Sequence, residues 1–159
     1  MLARNGGAVI SPCAAPFTIS GMRWVLMVLA LAGLLAASLA LHEHYYTGVS
    51  PCDINSHWDC GIVNHSPYAL LWGIPVAAIG IAGYLLMGAL AFKRAYGLLL
   101  IAALAGLAFS LYLARIEQHI LGVWCVYCVI SLAAISLITP LTLAAVIRAR
   151  VRAKAGQAS

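Results

Sequence analysis

Charged residues are scarce in this chain of 159 residues: Asp, Glu, Lys and Arg make up 8% of it, whereas apolar residues make up 64%. A soluble domain usually carries about a quarter charged residues, so the composition argues against that class. The net charge of +5 at pH 7 is not arranged as a basic face with interleaved aromatic residues, which argues against nucleic-acid binding. The sequence therefore predicts an integral membrane protein of one domain.

Uncharged apolar runs account for the surplus of hydrophobic residues. A spanning helix needs about 20 residues, because the hydrocarbon core is about 30 Å thick and a helix rises about 1.5 Å per residue. Four stretches qualify, at residues 24–41, 68–92, 95–114 and 120–147. The small residues AASLA near residue 40 also fit a signal-peptidase site. We nevertheless interpret the first run as a retained span, because it exceeds the roughly 7 to 15 residues of a signal peptide.

The predicted fold class is an all-α integral membrane protein: a four-transmembrane-helix bundle with a long loop between its first two helices. Residues 22–147 form the membrane domain, residues 1–21 a flexible cytoplasmic arm and residues 148–159 a basic cytoplasmic tail. The loop at residues 42–67 contains no Lys or Arg, whereas both termini and the connection between the second and third spans do. By the positive-inside rule, both termini are cytoplasmic and the long loop faces outside.

Four of the five cysteines fall on the outer side of this topology. Cys52 and Cys60 lie in the long loop and can close it, while Cys125 and Cys128, in the sequence WCVYC, lie where the last span begins. Disulfides persist on the outer side of a membrane. Cys13, on the reducing side, is expected to be a free thiol without an assigned role.

The spacing of WCVYC is typical of a redox pair at a helix N-terminus. Unpaired N–H groups and the helix dipole favour an anion there, and the thiolate is the form that attacks a disulfide. Cys128 should lie one turn deeper in the membrane than Cys125. A lipid-soluble oxidant is therefore expected to reach Cys128, and a protein thiol only Cys125.

Two other interpretations stay open on these residues alone. The cysteines can be ligands in a metal-handling or transport membrane protein, although the separation of Cys52 and Cys60 is not that of a zinc knuckle. The four cysteines can also form static disulfides that serve stability only. We assign no metal site, because histidines near carboxylates are more often solvated loop residues; those in question are His42, His44, His57 and His65.

Two segments read together resemble a known family. CDINSHWDCGIVNHSPYALLWGIPVAAIG, followed by the CVYC that opens the last span, is similar to the vitamin K epoxide reductase family, specifically its bacterial members. The resemblance covers about residues 22–145 and rests on the two loop cysteines, Ser66, the SPYALLWGIP run and the CxxC. It implies a four-helix bundle that encloses a quinone near the CxxC and passes electrons to it from protein thiols.

The resemblance also implies roles for individual residues. Cys125 and Cys128 match the active-site pair, Cys52 and Cys60 match the loop pair that delivers electrons to it, and Ser66 matches a hydroxyl residue beside the site. The implied relay begins when a partner thiol attacks Cys52, continues when the freed Cys60 attacks Cys125, and ends when Cys128 reduces the quinone.

Two positions depart from the animal enzymes. Ala69 and Leu132 stand where those enzymes carry the Asn and Tyr that contact the quinone, so the resemblance implies a plain respiratory quinone, ubiquinone or menaquinone, rather than vitamin K epoxide. Tyr68, Trp72 and Tyr127 are further candidates for the quinone-binding wall, or are ordinary interfacial aromatic residues.

The resemblance places the chain in a bacterial inner (plasma) membrane, with the redox cysteines on the periplasmic side, in contact with membrane lipid and quinone. The sequence ends at Ser159 without the thioredoxin-like domain that bacterial members often carry. The expected partner is therefore a separate periplasmic thioredoxin-like disulfide carrier. Arg115, Glu117 and His119, just before the CxxC, are candidates for interface anchoring or for a proton route.

Overall fold

The architecture comes from a computed structural model that describes residues 19–48 and 52–157. Most of these residues are helical. The helices are α1 (Ile19–Tyr45), α2 (Cys60–His65), α3 (Val76–Phe92), α4 (Tyr96–Ile116) and α5 (Val126–Gln157), and one π-helical turn, Glu117–Leu121, continues α4. Cys13 and most of the predicted N-terminal arm lie outside the described residues.

Three of the helical segments are long and apolar enough to cross a membrane. They are Gly21–Tyr45, Tyr96–Leu121 and Val126–Ala155, and they correspond to the first, third and fourth predicted spans. The second predicted span contains α3, whose 17 residues extend about 26 Å at about 1.5 Å each. The helical membrane architecture is therefore confirmed, while the count of four spans stays a prediction.

A β-hairpin explains why α3 is shorter than the predicted span. The prediction began a helix at Tyr68, but a short 3-10 helix (Pro67–Ala69) is followed by β1 (Leu70–Leu71) and β2 (Ile74–Pro75), which pair antiparallel. The turn residues Trp72 and Gly73 have φ values of 52° and 81°, and two consecutive positive values are typical of a tight hairpin turn. Pro75 pairs with Leu70 in the hairpin and has an extended ψ of 128°, so α3 begins only at the next residue.

The first helix packs against two others at the centre of the bundle. α1 contacts α3 and α5 along most of its length, and α4 packs mainly on α5. Gly33 lets α1 and α3 approach closely, because a Cβ atom at this position would overlap the ring of Tyr84. Small residues allow this kind of contact in membrane bundles, where helix association depends on close packing.

The last helix begins six residues later than predicted. The prediction began the span at Ile120, but the π-helical turn ends at Gly122, whose φ is 68°. The chain then runs in extended form through Trp124, which forms a parallel bridge with Trp58 in the long loop, before α5 starts at Val126. At its other end α5 continues through the predicted basic tail as far as Gln157.

Candidate redox site

The long loop is closed by a disulfide between Cys52 and Cys60. Cys60 is the first residue of α2, whose N-terminus is capped by the Asp59 side chain accepting a hydrogen bond from the Ile62 N–H at 2.7 Å. A cap of this kind fixes the start of a short helix. Cys52 is 4% exposed and Cys60 is fully buried, so the disulfide is shielded from solvent.

Backbone hydrogen bonds attach the loop to the segment before the CxxC. The Trp124 N–H donates to the His57 carbonyl at 2.8 Å, and the Asp59 N–H donates to the Trp124 carbonyl at 3.1 Å. Cys60 and Cys125 each follow one of these bonded residues, and both belong to one buried cluster with Cys52, Val63 and Val123. The structure therefore brings the two predicted cysteine pairs together.

The CxxC pair occupies the start of α5. Cys125 is buried and immediately precedes the helix, and its carbonyl accepts a hydrogen bond from the Val129 N–H at 3.0 Å. Cys128 lies in the first turn and is half-buried, and both are free thiols. The predicted placement of the pair at a helix N-terminus is thus found, although the helix itself starts later.

Hydrogen bonds hold the pKa of the Cys125 thiol below its ordinary value. The Cys128 side chain contributes most, and backbone hydrogen bonds to Cys128 and Tyr127 add to the effect. Burial and the charge of Glu117 act in the opposite direction and are outweighed. A lowered pKa increases the fraction of Cys125 present as thiolate, which is the form that exchanges with a disulfide.

Asn64 connects the two cysteine pairs. It lies on α2 with a buried side chain, and its amide Nδ2 donates to the Cys60 carbonyl at 2.8 Å and contacts the Cys125 sulfur at 3.6 Å. A hydrogen bond to sulfur from a buried amide stabilises a thiolate. The sequence held a signal for this residue, because Asn64 is four positions after Cys60 and would share its face of a helix, but α2 was not predicted.

Glu117 approaches the CxxC from the other side. Its carboxylate Oε2 accepts a hydrogen bond from the Cys125 N–H at 3.1 Å, and the side chain also bonds that of Cys128. Glu117 is 3% exposed, while the other two proton-route candidates, Arg115 and His119, are exposed. The structure thus separates three residues that the sequence left equivalent.

A cavity of about 420 Å³ lies between the helices beside the CxxC. Its wall is mainly apolar, and it includes Cys128 but not Cys125. Ligand sites are usually apolar clefts of about 300 to 1,000 Å³ with a few polar groups. The polar residues on this wall include Asn64, Ser66, Glu117, Tyr84 and Ser131.

The structure brings most, but not all, of the predicted site residues to this cavity. Tyr68, Ala69 and Leu132 lie on its wall. Ser66 also lines it, and the Ser66 hydroxyl donates to the Val63 carbonyl at 2.8 Å. Trp72 does not reach the wall, because the hairpin turn carries it outward, where its side chain is 95% exposed.

Tyr84 and Ser131 form a polar pair on the cavity wall that sequence reasoning missed. The Tyr84 hydroxyl lies 2.8 Å from both the carbonyl and the hydroxyl oxygen of Ser131. Both residues sit within apolar runs that show no local pattern for a site, and only the packing of α3 on α5 brings them together.

Comparison with known proteins agrees with this geometry. The model of the vitamin K epoxide reductase family matches residues 24–143, well over half of the chain, and the matched segment contains both cysteine pairs. A search of curated proteins returned no match. With a buried loop disulfide beside a CxxC pair in a helical membrane protein, and with this match, the chain belongs to the vitamin K epoxide reductase family.

Proposed function

We propose that this membrane thiol–disulfide oxidoreductase passes electrons from a separate periplasmic thioredoxin-like protein to a membrane quinone, and so supports disulfide-bond formation. The observation that carries the proposal is the meeting of Cys52, Cys60 and Cys125 in one buried cluster, against which Cys128 packs while it also lines an apolar cavity. The proposed setting is a bacterial inner membrane that α3 crosses together with the three longer helices, with both termini cytoplasmic.

In the proposed relay the loop cysteines act before those of the CxxC, and the contact of both pairs in the buried cluster supports this order. A partner thiolate attacks Cys52, which breaks the loop disulfide and releases Cys60. Cys60 attacks Cys125 of an oxidised CxxC and releases Cys128. The second partner thiol then frees Cys52 and leaves the partner oxidised, and Cys52 attacks Cys60, which restores the loop disulfide and leaves both CxxC thiols reduced.

The residues of the cavity fit a quinone. Its volume of about 420 Å³ and apolar wall suit a ring with a hydrocarbon tail, and the wall carries hydrogen-bonding side chains and a thiol. Cys125 and Cys128 would release two electrons when they form a disulfide, and a quinone held by this wall would supply the acceptor for them. Tyr68, Ala69 and Leu132 would shape the site. Ser66 and Asn64 also line it, and Asn64 donates a hydrogen bond to the Cys60 carbonyl of the loop pair.

The alternative of a metal-handling protein is not supported by an arrangement of ligands in the described residues. Among residues 19–48 and 52–157, no group of three or more His, Cys, Asp or Glu side chains is arranged to hold a metal ion.

Quinone reduction by purified protein in liposomes tests the proposal. The donor is a reduced thioredoxin-like periplasmic protein, and the variants are Cys125→Ala, Cys52→Ala and, as a matched control, Cys13→Ala. We expect both site variants to lose turnover, a small dithiol to restore part of it only in Cys52→Ala, and the control to keep it. A wild-type protein that forms no quinol would contradict the proposed function.

A further inference from the structure

Glu117 is a buried carboxylate placed against the thiol that faces the cavity. It is 3% exposed, it forms a hydrogen bond with the Cys128 side chain, and it lines the same cavity as Cys128. The π-helical turn Glu117–Leu121 directs it inward and is closed by the Gly122 N–H, which donates to the Glu117 carbonyl at 2.9 Å. Within the described part of the chain, no basic side chain pairs with it.

This environment is costly for a residue with a structural role alone. Burying a carboxylate without a cation costs far more than burying an amide. The contact with the Cys125 N–H at 3.1 Å needs only an acceptor oxygen, which Gln would supply equally well. The contact with the Cys128 thiol is different, because a carboxylate can accept its proton and an amide cannot.

We propose that Glu117 is the catalytic acid–base residue that takes the proton of the Cys128 thiol and delivers it into the cavity. This inference rests on the proposed function and deepens it. The titratable groups that face Glu117 in the structure are those of Cys125 and Cys128. On the same turn, Gln118, His119 and Ile120 are exposed.

The proposed step balances as follows. Cys125 enters as a thiolate and Cys128 as a thiol. Glu117 removes the Cys128 proton, the two sulfurs form a disulfide, and their two electrons reduce the quinone that occupies the cavity. Protonated Glu117 gives its proton to one quinol oxygen and returns to a carboxylate, and the second quinol proton comes from the outer solution.

Alkylation of Cys128 tests the contact without any quinone. The protein is reduced at the CxxC, treated with a membrane-permeant maleimide at neutral pH, and followed residue by residue by mass spectrometry. In Glu117→Gln the loss of the neighbouring negative charge leaves more of Cys128 as thiolate. We expect Cys128 to react roughly tenfold faster in this variant than in wild type, which corresponds to a tenfold larger thiolate fraction.

Single-turnover quinol formation tests the proton transfer. Reduced protein is mixed with a short-chain benzoquinone in detergent, and quinol is measured by absorbance. We expect Glu117→Gln to be slower by about 10²-fold or more, in the range that general acid–base catalysis contributes. If the variant keeps the wild-type melting temperature, faster Cys128 alkylation together with slower quinone reduction distinguishes proton transfer from a role in structure alone.

Glu43→Gln is the matched control, since Glu43 is 4% exposed at the outer end of α1 and is not on the cavity wall. Glu43→Gln should change neither the alkylation rate of Cys128 nor the rate of quinol formation.

If Glu117→Gln fails to fold, Glu117→Asp takes its place in both measurements. Because its carboxylate is shorter, Cys128 alkylation should stay slow while quinol formation becomes slower, and an Asp variant that forms quinol at the wild-type rate would overturn the assignment. If Glu117→Gln forms quinol at the wild-type rate, only this inference is overturned. If the wild-type protein forms no quinol, the proposed function is overturned as well.

Discussion

The two thiols of the CxxC have different surroundings, which matches the different steps proposed for them. Cys125 is buried against the loop disulfide, contacts the Asn64 amide and has a lowered pKa. Cys128 lines the cavity and bonds Glu117. In the proposed function, Cys125 accordingly exchanges with the loop pair and Cys128 faces the molecule that accepts electrons in the cavity.

The Cys128 side chain is the main cause of the lowered Cys125 pKa, so its removal should raise that pKa. Because Cys125 is an acid, a pKa below the ordinary thiol value of about 8.5 means that its thiolate persists as the pH falls below that value. In Cys128→Ala we expect the pH midpoint of Cys125 alkylation to move upward and the rate at neutral pH to fall several-fold. An unchanged midpoint would show that the Cys128 hydrogen bond is not the cause.

Asn64 should control exchange between the two pairs. In Asn64→Ala the Cys125 thiolate loses a charge-assisted hydrogen bond, an interaction worth about 1.5 to 3 kcal/mol, so we expect exchange between the pairs to slow roughly tenfold or more. Acid quenching followed by alkylation measures that rate. His65→Ala is the control, because the neighbouring His65 is exposed and bonds only the Gly61 carbonyl in the structure; equal slowing in both variants would contradict a specific role for Asn64.

At the scale of elements, the turn between α4 and α5 positions the site. Gly122 has a φ of 68°, which side chains with a Cβ adopt at a cost of roughly 1 to 2 kcal/mol. The turn holds Glu117 at one end and leads to Trp124 and Cys125 at the other. Strain here should therefore disturb both the stability of the protein and the contacts of the CxxC.

Gly122→Ala should lower the melting temperature by several degrees and should weaken the contact of Glu117 with Cys128, so that Cys128 alkylation rises. Gly97→Ala is the control, because Gly97 lies in α4, where a Cβ would meet nothing within 4 Å, and Ala is the better helix former by about 1 kcal/mol. A Gly122→Ala protein as stable as Gly97→Ala would contradict the account of this turn.

The elements also show how far the sequence can be read. Long apolar runs correctly predict the membrane helices α1, α4 and α5, because a run of that length has few other uses. They do not predict where helices begin. The start of α3 depends on the hairpin at Trp72 and Gly73, and the start of α5 depends on the pairing of Trp124 with Trp58, a contact between segments far apart in sequence.

Only those residues of the candidate site that stand at a characteristic spacing in the sequence could be predicted. The cysteine pairs and the polar residue Ser66 stand in recognisable positions. Asn64 and the pair of Tyr84 with Ser131 do not, since their roles arise from packing between helices. Glu117 was one of three equivalent candidates until burial separated it from Arg115 and His119.

At the scale of the whole molecule, the proposed topology makes a direct prediction. In a protein whose five native cysteines are replaced by alanine, a single cysteine is introduced at an exposed position, either Ser56→Cys in the long loop or Ala153→Cys near the end of α5. A membrane-impermeant maleimide added to intact cells should label the first and not the second. Labelling of both, or of the second alone, would contradict an outer loop with a cytoplasmic C-terminus.

The central claim is that the loop pair transfers electrons to the CxxC through a disulfide between Cys60 and Cys125. In Cys52→Ala/Cys128→Ala, the resolving cysteine of each pair is missing, and Cys60 and Cys125 remain in the buried cluster. Mild oxidation followed by mass spectrometry should find a Cys60–Cys125 disulfide in high yield, and little crosslink in Cys60→Ala/Cys128→Ala. Absence of the Cys60–Cys125 bond in folded protein, or an equal yield of Cys52–Cys125, would contradict the relay.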